Sequence, residues 1–296
     1  MTGVQCIAVI LLTRVVQQYT NKRASMLLPV TVYGNARYFT RTNAFAALFA
    51  FILLICRGEL SDINLPTVLF ASISGVMLVV ASVCTLYAIK SGTMALSSMF
   101  ATAGVLVPCI AGIFLYGETV RVLQWIGVLV FLVSSYLLIG ASKQTNAGFS
   151  LKTVLLLIGS LLSNGITMLV QTIFAREVEN GSVAAFSFLS FMIPTALLLL
   201  MLCVLKCKTP QPISEKISGK LMITAIVSAT AVFIVNQFAT MAAKLVQPVI
   251  LFTFINGGNT IIAALMAALF FKERFTVKST LGILLGVVAL VMIKAF

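Results

Sequence analysis

The side chains able to do chemistry are defined first by what is missing. The chain has no histidine, which removes imidazole acid–base catalysis, histidine metal sites and Ser-His nucleophiles. Its seven acids are Glu59, Asp62, Glu118, Glu177, Glu179, Glu215 and Glu273, and all fall beside or between long apolar stretches. No carboxylate pair is buried for hydrolysis, and no carboxylate sits inside an apolar stretch to carry a proton. The six cysteines, Cys6, Cys56, Cys84, Cys109, Cys203 and Cys207, contain no Cys-x-x-Cys pair. A thiol redox motif or zinc site is therefore not indicated, and most of these thiols read as small hydrophobes within apolar runs. Neither an enzyme nor a cofactor is expected.

What remains is a set of uncharged polar groups inside apolar segments. They are Gln17 and Gln18, Tyr87, Ser97 and Ser98, then Asn164, Thr167 and Gln171. Asn236, Gln237, Thr240, Thr253, Asn256, Asn259 and Thr260 complete the set. An amide in hydrocarbon costs about 2–7 kcal/mol unless it is hydrogen-bonded. Each such group must therefore bond another helix or face a wet interior that can hold a polar solute. Their concentration in the first, sixth, eighth and ninth apolar segments favours one shared interior surface. The solute-binding groups expected on it are Gln17, Tyr87, Ser98, Asn164, Gln171, Asn236, Gln237, Asn256 and Asn259. Within TFINGGNT (253–260) two amides flank two glycines. Glycine weakens a helix by about 1 kcal/mol relative to alanine, so a loosened ninth helix is expected there, facing the first and sixth. Asn256 and Asn259 share a face that also takes in Thr260.

The elements that must position these groups follow from the charge pattern. Apolar residues make up 60% of the 296 positions and charged residues 9%, against about 25% charged in a soluble domain. Charge-free runs cover 63–89, 91–117, 122–142, 153–175, 180–205, 221–243 and 245–271, each long enough for the roughly 20 residues of a bilayer crossing. The shorter runs 42–56 and 279–293 become spans if flanking charges snorkel. The segment Val4–Tyr19, with Arg14 inside it, is read as a first helix. A cleaved signal peptide would carry its charge before the apolar part and a small-residue cleavage site after it. The expectation is an all-α membrane protein of ten transmembrane helices, multi-pass in the cell membrane. The formal charge of +13 is scattered through short loops, which suits a membrane surface and not a nucleic acid.

The chain also repeats itself. At a shift of 154 residues Gln17 falls on Gln171, Lys22 on Arg176 and Lys90 on Lys244; at 155, Glu118 falls on Glu273 and Gly127 on Gly282. The expected units are residues 1–143 and 150–296, joined by ASKQTNAGFS (141–150). Five helices per unit is odd, so the second unit enters the membrane inverted, as in many secondary transporters. Glu118 and Glu273 open short links and are expected to cap the helices that follow. Lys90 and Lys244 end helices, where a cation suits the dipole. Gly127 and the Gly282/Gly286 pair allow close helix approach, read as packing within a monomer, with a homodimer as the alternative.

LYGETVRVLQWIGVLV (115–130) and its partner FFKERFTVKSTLGILLG (270–286) resemble the ten-helix EamA-type branch of the drug/metabolite transporter superfamily. Pro108 matches a proline common in that family's fourth helix, whereas position 263 is Ala in the second unit. The resemblance implies cytoplasmic termini and a pore lined by helices other than the fifth and tenth. The loops after odd-numbered helices carry 14 Lys/Arg against 5 on the opposite face, which by the positive-inside rule places the termini outside. Both readings put the termini on one face. The function expected is transport of a small organic metabolite by alternating access. A structural or lipid-handling membrane protein on the same fold is the alternative.

Overall fold

The helix boundaries follow the distribution of charge. In the computed structural model, which describes residues 2–28, 31–91, 100–140, 151–208, 219–271 and 277–294, ten α-helices lie in order along the chain. They are α1 (Gly3–Leu27), α2 (Val32–Arg57), α3 (Leu65–Ser91), α4 (Leu106–Tyr116) and α5 (Val122–Gly140). The second five are α6 (Leu151–Glu177), α7 (Val183–Lys208), α8 (Gly219–Ala243), α9 (Pro248–Phe271) and α10 (Val277–Lys294). By length and composition α2, α3, α6, α7 and α8 are apolar enough to cross a membrane, and α4, α5, α9 and α10 contain shorter apolar stretches. Their outward faces are apolar too: Phe114 is 83% exposed, Leu12 72% and Leu200 62%. Water would penalise such a belt and hydrocarbon does not.

Two boundaries differ from the sequence reading. Helix α1 runs on to Leu27 and starts from a capping box in which Thr2 and Gln5 each receive the other's backbone N–H. Helix α2 begins at Val32, ten residues before the uncharged run, because the Thr31 hydroxyl accepts the Gly34 N–H at 3.1 Å and caps it. Arg37 and Arg41, counted above as loop charges, therefore stand on α2. With Lys206 of α7 they line a cavity of about 260 Å³.

Proline and glycine shape α4. Pro108 has no N–H to give the Gly104 carbonyl, and its ring would crowd that carbonyl. The helical turn at 100–103 breaks at Gly104–Val105 before α4 resumes, and Val107 N–H takes the Gly104 carbonyl at 3.0 Å instead.

The most extensive pairings are α5 with α10, α2 with α7, α1 with α8 and α3 with α6. Exchanging each helix of the first five for its counterpart in the last five maps this set onto itself. The next pairings, α3–α7 with α2–α8 and α1–α9 with α4–α6, do the same. Helices α5 and α10 meet through small residues: a Cβ on Gly127 would lie 2.7 Å from Ile293 Cγ1, and one on Gly286 2.8 Å from Ser134 Oγ. The Ser134 hydroxyl donates to the Gly282 carbonyl at 2.6 Å. The expected glycine approach thus lies inside one chain.

Both chain ends gather on one face. Gly3 packs on Val246, whose carbonyl accepts from Arg176 at 3.2 Å, and Arg176 in turn pairs with Glu118. A short link further on, the Gln124 amide donates to the Ile293 carbonyl at the end of α10, at 3.4 Å.

Candidate substrate site

The expected site residues divide by what they bond. Gln171 on α6 donates to Thr240 Oγ1 at 2.7 Å and to the Asn236 carbonyl at 3.2 Å, which ties α6 to α8. The Asn236 amide oxygen accepts from Ser187 of α7 at 2.7 Å. Asn164 donates to the Ser160 carbonyl on its own helix at 2.8 Å. Gln18 donates to Asn259 at 2.6 Å and joins α1 to α9, and Asn256 reaches Met168 Sδ at 3.7 Å from α9 to α6. Tyr87 lies half-buried near the end of α3 and has a bonding partner. Ser98 falls outside the described residues.

The glycine pair at 257–258 does not loosen α9, which is helical throughout. A Cβ on Gly257 would lie 3.0 Å from Leu290 Cδ2 and 3.1 Å from Phe131 Cε2, and one on Gly258 would overlap Leu11 Cδ2. The pair is a notch that lets α9 seat against α1, α5 and α10, and neighbouring side chains hold the backbone helical there. Gln17 and Gln171, at matching places in the repeat, bond different neighbours, and α1 packs chiefly on α8 and α9. Gln17 accepts from Arg14 Nη1 at 2.6 Å.

Arg14 stands at the middle of the 25-residue α1. At 100° per residue it points about 160° away from both Leu12 and Val16, which are 72% and 45% exposed on the lipid side. It follows Cys6 and Ile10, both fully buried, along the inward flank. Its Nε is buried with no partner, yet the residue as a whole keeps part of its surface accessible. A charged residue at a helix centre costs about 2.5–3.5 kcal/mol on insertion scales, so its retention asks for a function. Along the chain Arg14 is only a charge inside a span; its inward direction is a tertiary fact.

Gln237 on α8 is another of the buried donors left without a partner, with the hydroxyls of Tyr38, Ser74, Ser135, Ser190 and Thr253. It is 5% exposed and its Nε2 has no partner. Gly3 packs on Val246 and the Ser228 hydroxyl faces Asn21, so α1 and α8 run antiparallel. Counting inward from these two contacts puts Arg14 level with the Val235–Gln237 turn.

On the face that carries the termini the interior is bridged. Arg176 makes a 2.6 Å ion pair with Glu118, with side chains 18% and 10% exposed. It also donates from Nε to the Ala243 carbonyl at 3.0 Å, and its guanidinium stacks 4.6 Å from the Tyr116 ring centre. Glu118 therefore spends its carboxylate on a cation 58 residues away, and α5 is begun by Gln124, whose side chain accepts the Arg121 N–H at 3.0 Å. Repeat register gives Lys22 and Glu273 the corresponding positions in the other half, although Glu273 lies outside the described residues. Beside this bridge is a cavity of about 350 Å³ lined by Cys6, Phe174, Asn180, Thr240 and Lys244, among others.

Ten helices with apolar outer faces and polar groups turned inward define an integral, multi-pass membrane protein. The sequence pattern of the EamA-like transporter family matches residues 151–295. A solved crystal structure, at 16% identity, superposes with a TM-score of 0.76 over 99% of this chain and 96% of its own, a likeness of fold alone. No curated protein matches the sequence. The match over residues 151–295, with a likeness of fold over the whole chain, supports the drug/metabolite transporter superfamily, whose EamA-like family is one of membrane transporters of small solutes.

Proposed function

We propose that the protein is a secondary transporter or facilitator of small organic metabolites in the cell membrane. It works by alternating access between two inverted five-helix units, residues 1–143 and 150–296. The observation that carries this reading is the helix pairing that maps onto itself, with amides and one cation turned toward its mid-depth. Such pairing supports two packings related by exchange of the halves, and the Arg176–Glu118 bridge closes one of the two exits. The proposed solute-facing groups are Gln17, Gln237, Asn256 and Asn259, with Gln171 and Asn236 holding α6, α7 and α8 behind them.

The test is metabolite profiling of cells with and without the protein, followed by uptake of each changed metabolite into proteoliposomes. Uptake accelerated by the same solute preloaded inside is the expected result, because a carrier returns faster loaded than empty. Absence of any changed metabolite, or flux indifferent to preloading, would sink the reading. Asn256→Ala and Asn259→Ala should insert normally and weaken uptake. Asn259→Ala should also lower stability by about 0.6–2 kcal/mol through the lost Gln18 bond. A loss of stability with unchanged apparent affinity in both variants would assign the two amides to packing alone.

A further inference from the structure

We infer that the transported solute is an anion, a small carboxylate or phosphate ester, whose negative group is held by the Arg14 guanidinium at mid-depth. This rests on the transporter reading and adds the substrate's charge to it.

Arg14 lacks a counter-charge among the described residues. Arg14 faces inward from the centre of α1, and its only described hydrogen bond goes to Gln17, a neutral amide on the same helix. Two ion pairs seen among the described residues join Arg57 to Glu59 and Arg176 to Glu118, both near helix ends on the termini's face. The five acids among the described residues, Glu59, Asp62, Glu118, Glu177 and Glu179, lie at helix ends or between helices, so none of them reaches the level of Arg14. A cation kept in a low-dielectric interior needs an anion close by, and the described residues do not supply one. The counter-ion must then come from outside.

The donors left over there match that chemistry. Arg14 Nε and Gln237 Nε2 are both buried and unpartnered, and the two helices bring them to the same depth. Each donates a hydrogen bond, and a planar guanidinium fork suits carboxylate or phosphate oxygens. The matching place in the second half is Met168, at the 154-residue shift. Arg14 therefore has no cation at its repeat position in the second half, which fits a single negative group per solute.

The experiment takes purified wild-type protein, Arg14→Gln and Arg14→Lys into liposomes, offers each a cell metabolite extract, and identifies what accumulates by mass spectrometry. The solutes that wild type accumulates should be anions at pH 7. Arg14→Gln should take them up roughly 10- to 100-fold less well, as expected for loss of a charge-assisted hydrogen bond, and Arg14→Lys should retain an intermediate share. Because Arg14→Gln removes an unpaired buried charge, its melting temperature in detergent should equal or exceed that of wild type. Addition of the identified anion should raise the melting temperature of wild type only. Accumulation of neutral or cationic solutes, equally by wild type and Arg14→Gln, would overturn the inference and leave the transporter reading standing. A steep fall in the melting temperature of Arg14→Gln would reassign the residue to helix packing. No accumulation by wild type beyond protein-free liposomes would defeat both the transporter reading and this inference.

Discussion

Replacing Glu118 with Leu should cost about 3–5 kcal/mol of stability, the usual penalty for leaving one partner of a buried ion pair uncompensated. The Arg176 guanidinium would keep its charge, its two carbonyl partners and the Tyr116 face, but lose the one group that neutralises it. The pair is little exposed, so solvent does not screen it much. The double variant Glu118→Leu/Arg176→Leu should recover most of the loss, because an apolar pair of similar bulk is often neutral in such a place. Thermal midpoints in detergent measure both effects. A Glu118→Leu protein that melts with wild type would mean that the pair is effectively solvated and contributes little. Glu118→Gln should lower the yield of folded protein more than it changes the transport of each folded molecule, since the carboxylate bridges helix ends and does not face the mid-depth groups. A well-folded Glu118→Gln protein without transport would place Glu118 among the solute-contacting residues.

Gly165→Leu should be still harder to accommodate. Helices α4 and α6 cross backbone to backbone here. A Cβ at 165 would lie 2.7 Å from the Gly104 carbonyl oxygen and 2.5 Å from Val107 Cγ2. A Cβ on Gly104 would come within 2.9 Å of the Gly165 nitrogen. Overpacking a core costs about 1–3 kcal/mol when side chains can shift. Here the obstacle includes a carbonyl positioned by the Pro108 break, so the loss should reach or exceed the top of that range. Folded yield and thermal midpoint are the readouts. Gly219→Ala, at the start of α8 with nothing within 4 Å of the added methyl, is the control, and should be neutral or stabilising by up to about 1 kcal/mol. If Gly165→Leu melts like this control, the crossing is looser than its geometry.

Much of the fold was legible along the chain. Hydrocarbon tolerates charge so poorly that the charge-free runs at 63–89, 122–142, 153–175, 221–243 and 245–271 had to become α3, α5, α6, α8 and α9, within a few residues. A helix satisfies its own backbone locally, so composition alone is enough to call it into being. The symmetric helix pairing fits the repeat read along the chain, because glycines such as Gly127 and Gly282 sit where α5 and α10 pack closely.

What the residues do to one another was not legible, because it is decided between segments far apart in sequence. Glu118 read as a helix cap until its partner proved to be Arg176. Gly257 and Gly258 read as a loose point in α9, but Leu11, Phe131 and Leu290 fill the space around them and keep the helix regular. Gln17 and Gln171 hold matching places in the repeat, yet they bond different neighbours, because α1 packs on α8 and α6 on α3. Arg14 was visible from the start as a charge inside a span. Only the packing of α1 against α8 and α9 shows that it points away from lipid, with no acid of the described residues at that depth. Membrane insertion is set by local composition, whereas the direction a side chain faces is set by which helices find each other.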